Sequence, residues 1–149
     1  MRTQVNLDSL GRLVAGRHAN HSEILGPHQV QHDGVSMTAV RAYLPDSQQV
    51  WLVHPAHEQP RSMRQIHPAG VFEALCPSMG ETEANYEFRV ANQRGEITTM
   101  HDPYRYKPLL SDYDVHLLSE GNHWRSYERL GAQLRTVDGV SGVNFAVWA

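Results

Sequence analysis

The chain has 149 residues, of which 40% are hydrophobic and 19% are charged, and its formal net charge is −3. This length suits one domain with a hydrophobic core and part of a second, and the negative charge offers no electrostatic attraction to nucleic acid or to acidic membranes. The first ten residues lack an apolar run and no stretch is long enough to span a bilayer, so the sequence predicts neither a signal peptide nor a membrane anchor.

Residues 6–15 predict a short amphipathic helix. Leu7, Leu10 and Leu13 recur at helical spacing, which would place them on one face. Gly11 weakens such a helix by about 1 kcal/mol relative to alanine. A small surface helix and a frayed terminus are both compatible with this pattern.

From residue 36 the apolar residues alternate with polar ones, which is typical of β-strands with one apolar face. Segments of this kind are residues 36–44, 49–54, 62–67, 70–77, 84–91 and 96–100. The sequence NQRG at residues 92–95 predicts a hairpin turn with glycine in the left-handed position. Short strands at spacings of about ten residues favour an all-β, antiparallel sandwich over residues 36–101, with residues 1–35 leading into it.

Residues 102–139 predict a linker that carries one short helix at 122–131. Asn122 suits the N-cap of this helix, and Gly131 suits a left-handed C-cap. Residues 140–149 form an apolar stretch that predicts one more strand.

Two groups of motifs carry a resemblance to a known family. The longer group lies in residues 102–148 and consists of DPYRYKPLLSDYDVHLLSEGNH, SYERLGA and RTVDGVSGVNFAVWA, and the upstream group consists of EILGPHQV, VRAYLP and GVFEAL. In these motifs the chain resembles bacterial 1,4-α-glucan (glycogen) branching enzymes of the α-amylase glycoside-hydrolase superfamily. The resemblance covers most of the chain from residue 24 onward.

The resemblance implies that residues 36–101 are the immunoglobulin-like N-terminal module of such an enzyme, and that residues 140–149 begin a second, glycogen-binding type of sandwich. The parent enzyme would cleave an α-1,4-glucan chain and reattach the segment through an α-1,6 bond. The expected partners are therefore an α-glucan and the remaining domains of the parent enzyme. No cofactor is implied.

Catalytic residues are not expected in this chain. Glycoside transfer needs two carboxylates a few ångströms apart, and in the family that the chain resembles they lie on a (β/α)8 barrel of about 250 residues. Asp112, Asp114 and Glu120 are close in sequence. Carboxylates in such a segment more often solvate a loop or cap a helix.

Ten histidines raise the question of a metal site. Pairs at short spacing are His18–His21, His28–His32 and His54–His57. A zinc site needs three or four ligands at one point, and neither a cysteine pair nor an HExxH motif supports one, so we expect surface histidines and no metal. The single cysteine, Cys76, is expected to be a buried apolar residue, and it suits a reducing cytoplasm.

Trp51 and Tyr43 are the candidate carbohydrate-binding residues. Trp51 is expected to point away from Val50 and Leu52, and Tyr43 shares a strand face with Arg41. Aromatic rings can stack on pyranose rings, but an aromatic residue of a sandwich can also fill the core or a domain interface. The chain is therefore predicted to assist glucan binding, with two alternatives: a structural interaction domain without sugar affinity, and a free-standing α-glucan-binding module.

Overall fold

The computed structural model describes residues 5–55, 59–77, 85–106, 109–137 and 140–148. Within these ranges the α-helices are α1 (Leu7–Val14) and α2 (Asp112–Ser119). The strands are β1 (Gly26–His32), β2 (Val35–Tyr43), β3 (Ser47–Val53), β4 (Arg61–Ser62), β5 (Arg64–His67), β6 (Val71–Pro77), β7 (Glu87–Asn92), β8 (Ile97–His101), β9 (Gly131–Val137) and β10 (Val140–Ala146). None of the described helices is both long and apolar enough to cross a membrane.

Eight of the strands form two antiparallel sheets that pack face to face. Sheet A has the strand order β1-β2-β6-β5, and sheet B has the order β4-β3-β7-β8. Their facing side chains form one buried core of Val40, Ala42, Val50, Leu52, Met63, Phe72, Ala74, Cys76, Tyr86, Phe88 and Val90. This arrangement confirms the predicted all-β sandwich with short flanking helices.

The sandwich begins earlier in the chain than predicted, because residues 1–35 are not merely a lead-in. Strand β1 pairs along its whole length with β2. Helix α1 starts at Asn6, whose side chain accepts a hydrogen bond from the Asp8 N–H at 2.9 Å. Its buried Leu10 and Leu13 form a second hydrophobic cluster, which also contains Val71 of sheet A. The helix is therefore docked rather than frayed, because the outer face of sheet A buries its apolar stripe.

The residues after β8 lie against the start of β1 at Gly26. This glycine has a φ of 86°, and a Cβ built on it would stand 2.4 Å from the backbone oxygen of Tyr104. Both the left-handed backbone and the close approach require glycine. Residues 102–105 thus belong to the compact unit Met1–Arg105, and the linker predicted to begin at residue 102 begins later.

The predicted solvent-facing side of β2 is in fact buried. Arg41 and Glu73 are each only 4% exposed, and the guanidinium Nε of Arg41 donates to Glu73 Oε2 at 2.9 Å. Arg64 donates to the other carboxylate oxygen at 3.2 Å. Alternation shows which residues share a strand face, but it does not show what covers that face. The expectation that the Arg41 side of β2 is exposed to solvent was therefore wrong.

One predicted strand, at residues 62–67, is divided between the two sheets. Strand β4 pairs with β3 in sheet B, whereas β5 pairs with β6 in sheet A. Met63 lies between them, with its side chain in the common core. Strands that change sheets in this way form the corners of sandwiches.

The predicted helix at residues 122–131 is wrong. This segment contains a 3₁₀ turn at Ser126–Glu128, and the α-helix of the region is α2. Gly121, with a φ of 71°, follows the end of α2 in the left-handed conformation that terminates helices. The carbonyls of Tyr127 and Leu130 accept hydrogen bonds from the Gln133 side chain instead of from a continuing helix.

Residues 140–149 do contain a strand, and its partner lies in the segment predicted as linker. Strand β10 pairs with β9 to form a separate two-stranded antiparallel sheet within the unit Tyr106–Ala149. One face of this hairpin is apolar and exposed, with Leu134 and Val143 directly opposite each other and Phe145 beside them. Residues 138–139, at the end of the segment predicted as linker, lie outside the described residues.

Candidate functional site

Trp51 lies in the middle of strand β3, on the outer face of sheet B. Its neighbours Val50 and Leu52 are buried in the core, so the period of two directs the tryptophan side chain away from the core, as the sequence predicts. The side chain is half-buried. The environment of Trp51 is therefore a sheet surface, not the interior of the sandwich.

Polar residues flank Trp51 on both sides across the sheet. Its register partner in β4 is Ser62, and its partner in β7 is Arg89, which in turn is paired with Thr99 of β8. Residues in direct register point to the same face, so these four side chains form a row across sheet B. We call this set Ser62, Trp51, Arg89 and Thr99 the Trp51 row.

The rows on either side of the Trp51 row differ in character. On one side Val53 pairs with Glu87, which pairs with His101, and Glu87 Oε1 lies 3.5 Å from His101 Nδ1. On the other side the exposed Gln49 pairs with Ala91, which pairs with the exposed Ile97. The face thus combines an aromatic ring, hydrogen-bonding groups and a small apolar margin, which is the composition that sugar rings with their hydroxyls require.

Tyr43 does not join Trp51. It lies on β2 in sheet A, on the face opposite to the core, and packs against the cluster formed by Leu10, Leu13 and Val71. The two candidate residues therefore belong to different sheets and do not form one site.

A buried polar pair joins β7 to the residues after β8. The Tyr86 hydroxyl donates to Asp102 Oδ2 at 2.6 Å, and the Tyr104 N–H donates to Asp102 Oδ1 at 2.8 Å. Burial raises the pKa of Asp102 above its usual value, and burial together with this carboxylate raises the pKa of Tyr86. Arg105 donates to the Tyr86 carbonyl at 3.3 Å. These contacts hold the residues after β8 against the sandwich and leave the carboxylate enclosed rather than facing a cleft.

Asp112 and Asp114 lie in the first turn of helix α2, and Glu120 is its C-cap. Asp114 Oδ2 accepts from the Ser111 hydroxyl at 2.6 Å, and the Asp114 N–H donates back to Ser111 at 3.1 Å. Hydrogen bonds from Ser111 and His123, with Arg129 nearby, lower the pKa of Asp114. An acid that is held ionised in this way is suited to capping helix α2, not to donating a proton.

No metal site was identified within the described residues, where no three His, Cys, Asp or Glu side chains are arranged to hold an ion. His28 Nε2 lies 3.1 Å from the Leu25 carbonyl, and burial lowers the pKa of its ring. His57 lies outside the described residues. Cys76 is buried as predicted, and burial raises the pKa of its thiol.

Sequence reasoning missed the contribution of Arg89 and Thr99 to the face around Trp51. Alternation places Arg89 on an outer face, but only the strand order brings it beside Trp51. The Tyr86–Asp102 pair was also missed, although the sequence offers a signal for it. A tyrosine at an inward position needs a hydrogen-bond partner, and the Asp102–Pro103 strand end supplies one.

Comparison with known proteins adds a family. Residues 6–104 match the family model described as the alpha-1,4-glucan branching enzyme GlgB, N-terminal domain. A 1,4-alpha-glucan branching enzyme GlgB of Rhodopirellula baltica is 42% identical over 149 residues, covering 100% of this chain and 20% of the relative. The enzyme of the same name from Thermosynechococcus vestitus is 44% identical over 146 residues, covering 97% of this chain and 19% of the relative. The chain thus spans about a fifth of the length of the curated relatives it matches.

Among solved structures, a pullulanase from Bacillus acidopullulyticus shares 22% identity and a TM-score of 0.41, covering 54% of this chain and 10% of that chain. A TM-score of this size carries no argument about the function of the chain.

Proposed function

The chain belongs to the family of N-terminal domains of the alpha-1,4-glucan branching enzyme GlgB, and from this premise we propose that its sandwich binds α-glucan as one part of a branching enzyme. The parent protein transfers α-1,4-glucan segments to form α-1,6 branches in glycogen biosynthesis. This part of it holds or orients the glucan and packs against the other domains, without taking part in the chemistry. We also propose a cytoplasmic location, a reducing compartment in which a single free thiol such as that of Cys76 is usual.

The observation that carries the proposal is the position of Trp51 on the outer face of sheet B, between its strand partners Ser62 and Arg89. The partners of Trp51 on this face, Arg89 and Thr99, are exposed, whereas Tyr43 is packed against the cluster that includes helix α1. The indole offers a flat apolar surface to the C–H face of a pyranose, and Ser62, Arg89 and Thr99 are placed to meet hydroxyls. We therefore assign the sugar to Trp51 and not to Tyr43.

The β9–β10 hairpin supports the second part of the proposal, that further domains of the parent are partners of this chain. The hairpin face that contains Leu134, Val143 and Phe145 is apolar, and Leu134 and Phe145 are 86% and 76% exposed. Exposed apolar faces of this kind are covered in stable proteins. In the proposal β10 is the beginning of a second, glycogen-binding type of sandwich, which covers this face.

A titration with maltoheptaose tests the sugar proposal. Chemical-shift changes are expected in the full chain and are expected to vanish in Trp51→Ala, with the fold retained. Trp124→Ala is the matched control, because Trp124 is 92% exposed in the other compact unit. No shifts in the unmutated chain at saturating sugar would favour the structural interaction domain. A loss of about 3–5 kcal/mol in the free energy of unfolding of Trp51→Ala would place the ring in the core.

A second assay tests the non-catalytic role. Amylose incubated with the 149-residue chain is expected to keep its iodine absorbance, because two carboxylates at glycosidase spacing are needed for transfer. A fall in absorbance together with new α-1,6 linkages would contradict the proposed non-catalytic role of this chain.

A further inference from the structure

We propose that Arg89 and Thr99 belong to the same sugar-binding site as Trp51. They form hydrogen bonds with the hydroxyls of a neutral α-glucan that lies across the strands of sheet B. The inference rests on the proposed function and deepens it, since it names the residues that determine how the sugar is oriented. The family match does not assign a role to either residue.

The strand register of sheet B aligns the four side chains of the Trp51 row. Ser62, Trp51, Arg89 and Thr99 are consecutive partners across β4, β3, β7 and β8. Neighbouring strands are about 4.8 Å apart, so the row is about 14 Å long. A ligand stacked on Trp51 and aligned with the row therefore passes directly over Arg89 and then Thr99.

The side chains of Arg89 and Thr99 are available to a ligand. Both side chains are exposed, and neither has a hydrogen-bond or ion-pair partner in the part of the chain that the structure describes. Arg41 and Arg64, on sheet A, are in contrast both bound to the carboxylate of Glu73. A guanidinium offers up to five N–H donors in one plane, and a threonine hydroxyl both donates and accepts, which matches adjacent sugar hydroxyls.

The rows on either side of the Trp51 row favour one direction of the glucan on the sheet. Glu87 and His101 face each other, with Glu87 Oε1 3.5 Å from His101 Nδ1, so part of their hydrogen-bonding capacity is directed at each other. On the other side the row is Gln49, Ala91 and Ile97, in which only Gln49, on β3, has a side chain that can donate or accept. A glucan running along β7 would pass from Glu87 over Arg89 to the apolar Ala91, whereas one running across the strands stays on the Trp51 ring and the donors of Arg89 and Thr99.

The test uses maltoheptaose titrations of the full 149-residue chain followed by NMR. Arg89→Met keeps the length and apolar stem of the side chain but removes every donor, and it is expected to raise the dissociation constant about tenfold. Thr99→Val is expected to raise it about threefold. Arg94→Met is the matched control, since Arg94 is an exposed arginine in the turn between β7 and β8 and outside the row, and it is expected to leave the constant unchanged.

The outcomes separate this inference from the proposed function. Loss of binding in Trp51→Ala with an unchanged constant in Arg89→Met would overturn the inference and leave the Trp51 site intact, whereas no binding by the unmutated chain would overturn both. Because the ligand is neutral, the effect of Arg89→Met is expected to be the same at about 0.01 M and about 1 M salt, where the Debye length falls from about 30 Å to about 3 Å. An effect confined to low salt would mean that Arg89 meets a charged group, and would contradict the assignment.

Discussion

The hydroxyl of Tyr86 donates to the carboxylate of Asp102 across 2.6 Å, and both residues are buried. Removing the hydroxyl leaves that carboxylate oxygen enclosed with one donor fewer. Tyr86→Phe is therefore expected to lower the free energy of unfolding by about 1–3 kcal/mol, as measured by urea denaturation. Tyr113→Phe, at an exposed tyrosine, is the control and is expected to change it by less than about 0.5 kcal/mol. Equal stability of the two variants would mean that the buried hydrogen bond contributes nothing.

The same carboxylate predicts a dependence of stability on pH. Burial raises the pKa of Asp102 above the ordinary value of 3.8, so in the window above 3.8 the folded chain holds this proton more tightly than the unfolded chain. The stabilisation from the protonated form is thus present at low pH and is lost as pH rises through the folded-state pKa. The stability of the unmutated chain relative to Asp102→Asn is expected to fall as pH rises from about 4.

The Arg41–Glu73 pair of sheet A gives a third prediction. Each side chain is almost fully buried, so Glu73→Leu leaves a guanidinium enclosed without its main partner and is expected to cost about 3–5 kcal/mol. The double variant Arg41→Met/Glu73→Leu removes both charges and is expected to recover most of that loss. Additive effects of the two single changes in a thermal-denaturation cycle would show that the pair is not coupled. Glu87→Ala, which breaks an exposed pair, is the control and is expected to cost at most about 1 kcal/mol.

The close approach of Gly26 to the Tyr104 backbone gives a fourth prediction. A methyl group there meets the Tyr104 backbone oxygen at 2.4 Å, and the φ of 86° adds strain of about 1–3 kcal/mol for a non-glycine residue. Gly26→Ala is thus expected to destabilise the chain by more than about 2 kcal/mol in urea denaturation. Gly11→Ala is the opposite case, because it lies in α1 with nothing within 4 Å of the added carbon, and it is expected to stabilise by up to about 1 kcal/mol.

The fifth prediction concerns the β9–β10 hairpin. Two-stranded sheets are only marginally stable in water, and this one exposes Leu134 and Phe145. In hydrogen exchange of a dilute sample, the slowest amides of β9 and β10 are expected to exchange faster than those of Phe88 and Val90 in β7, a strand paired on both sides. Equal protection would mean that the hairpin is stable without a covering domain.

The features that the sequence predicts correctly depend on neighbours along the chain. Phe88 and Val90 are inward and Arg89 is outward because alternation is a property of the strand itself. The turn before β8 is likewise local, with Asn92 Oδ1 accepting from the N–H groups of Arg94 and Glu96. Such features need no knowledge of the rest of the fold.

The features that the sequence does not predict depend on tertiary contacts or on polar burial. Arg41 alternates as an outward residue, yet the outer face of its sheet is covered. The buried residue of helix α2 is not apolar but Asp114, which forms the capping box with the N-cap Ser111. The neighbours of Trp51 were not predictable because strand order and register bring Arg89 and Thr99 to it from other parts of the chain.

The change of sheet at Met63 has a mechanical consequence. The Met63 N–H donates to the Val50 carbonyl in sheet B at 2.8 Å, while the next residue, Arg64, is already paired with Glu73 in sheet A. Sliding one layer over the other would stretch a connection of a few residues, each of which extends by at most about 3.6 Å, and would break backbone pairs in both layers. A pulling force applied at the Trp51 face is therefore transmitted through β4 into the second layer, and the sandwich resists shear as a single block.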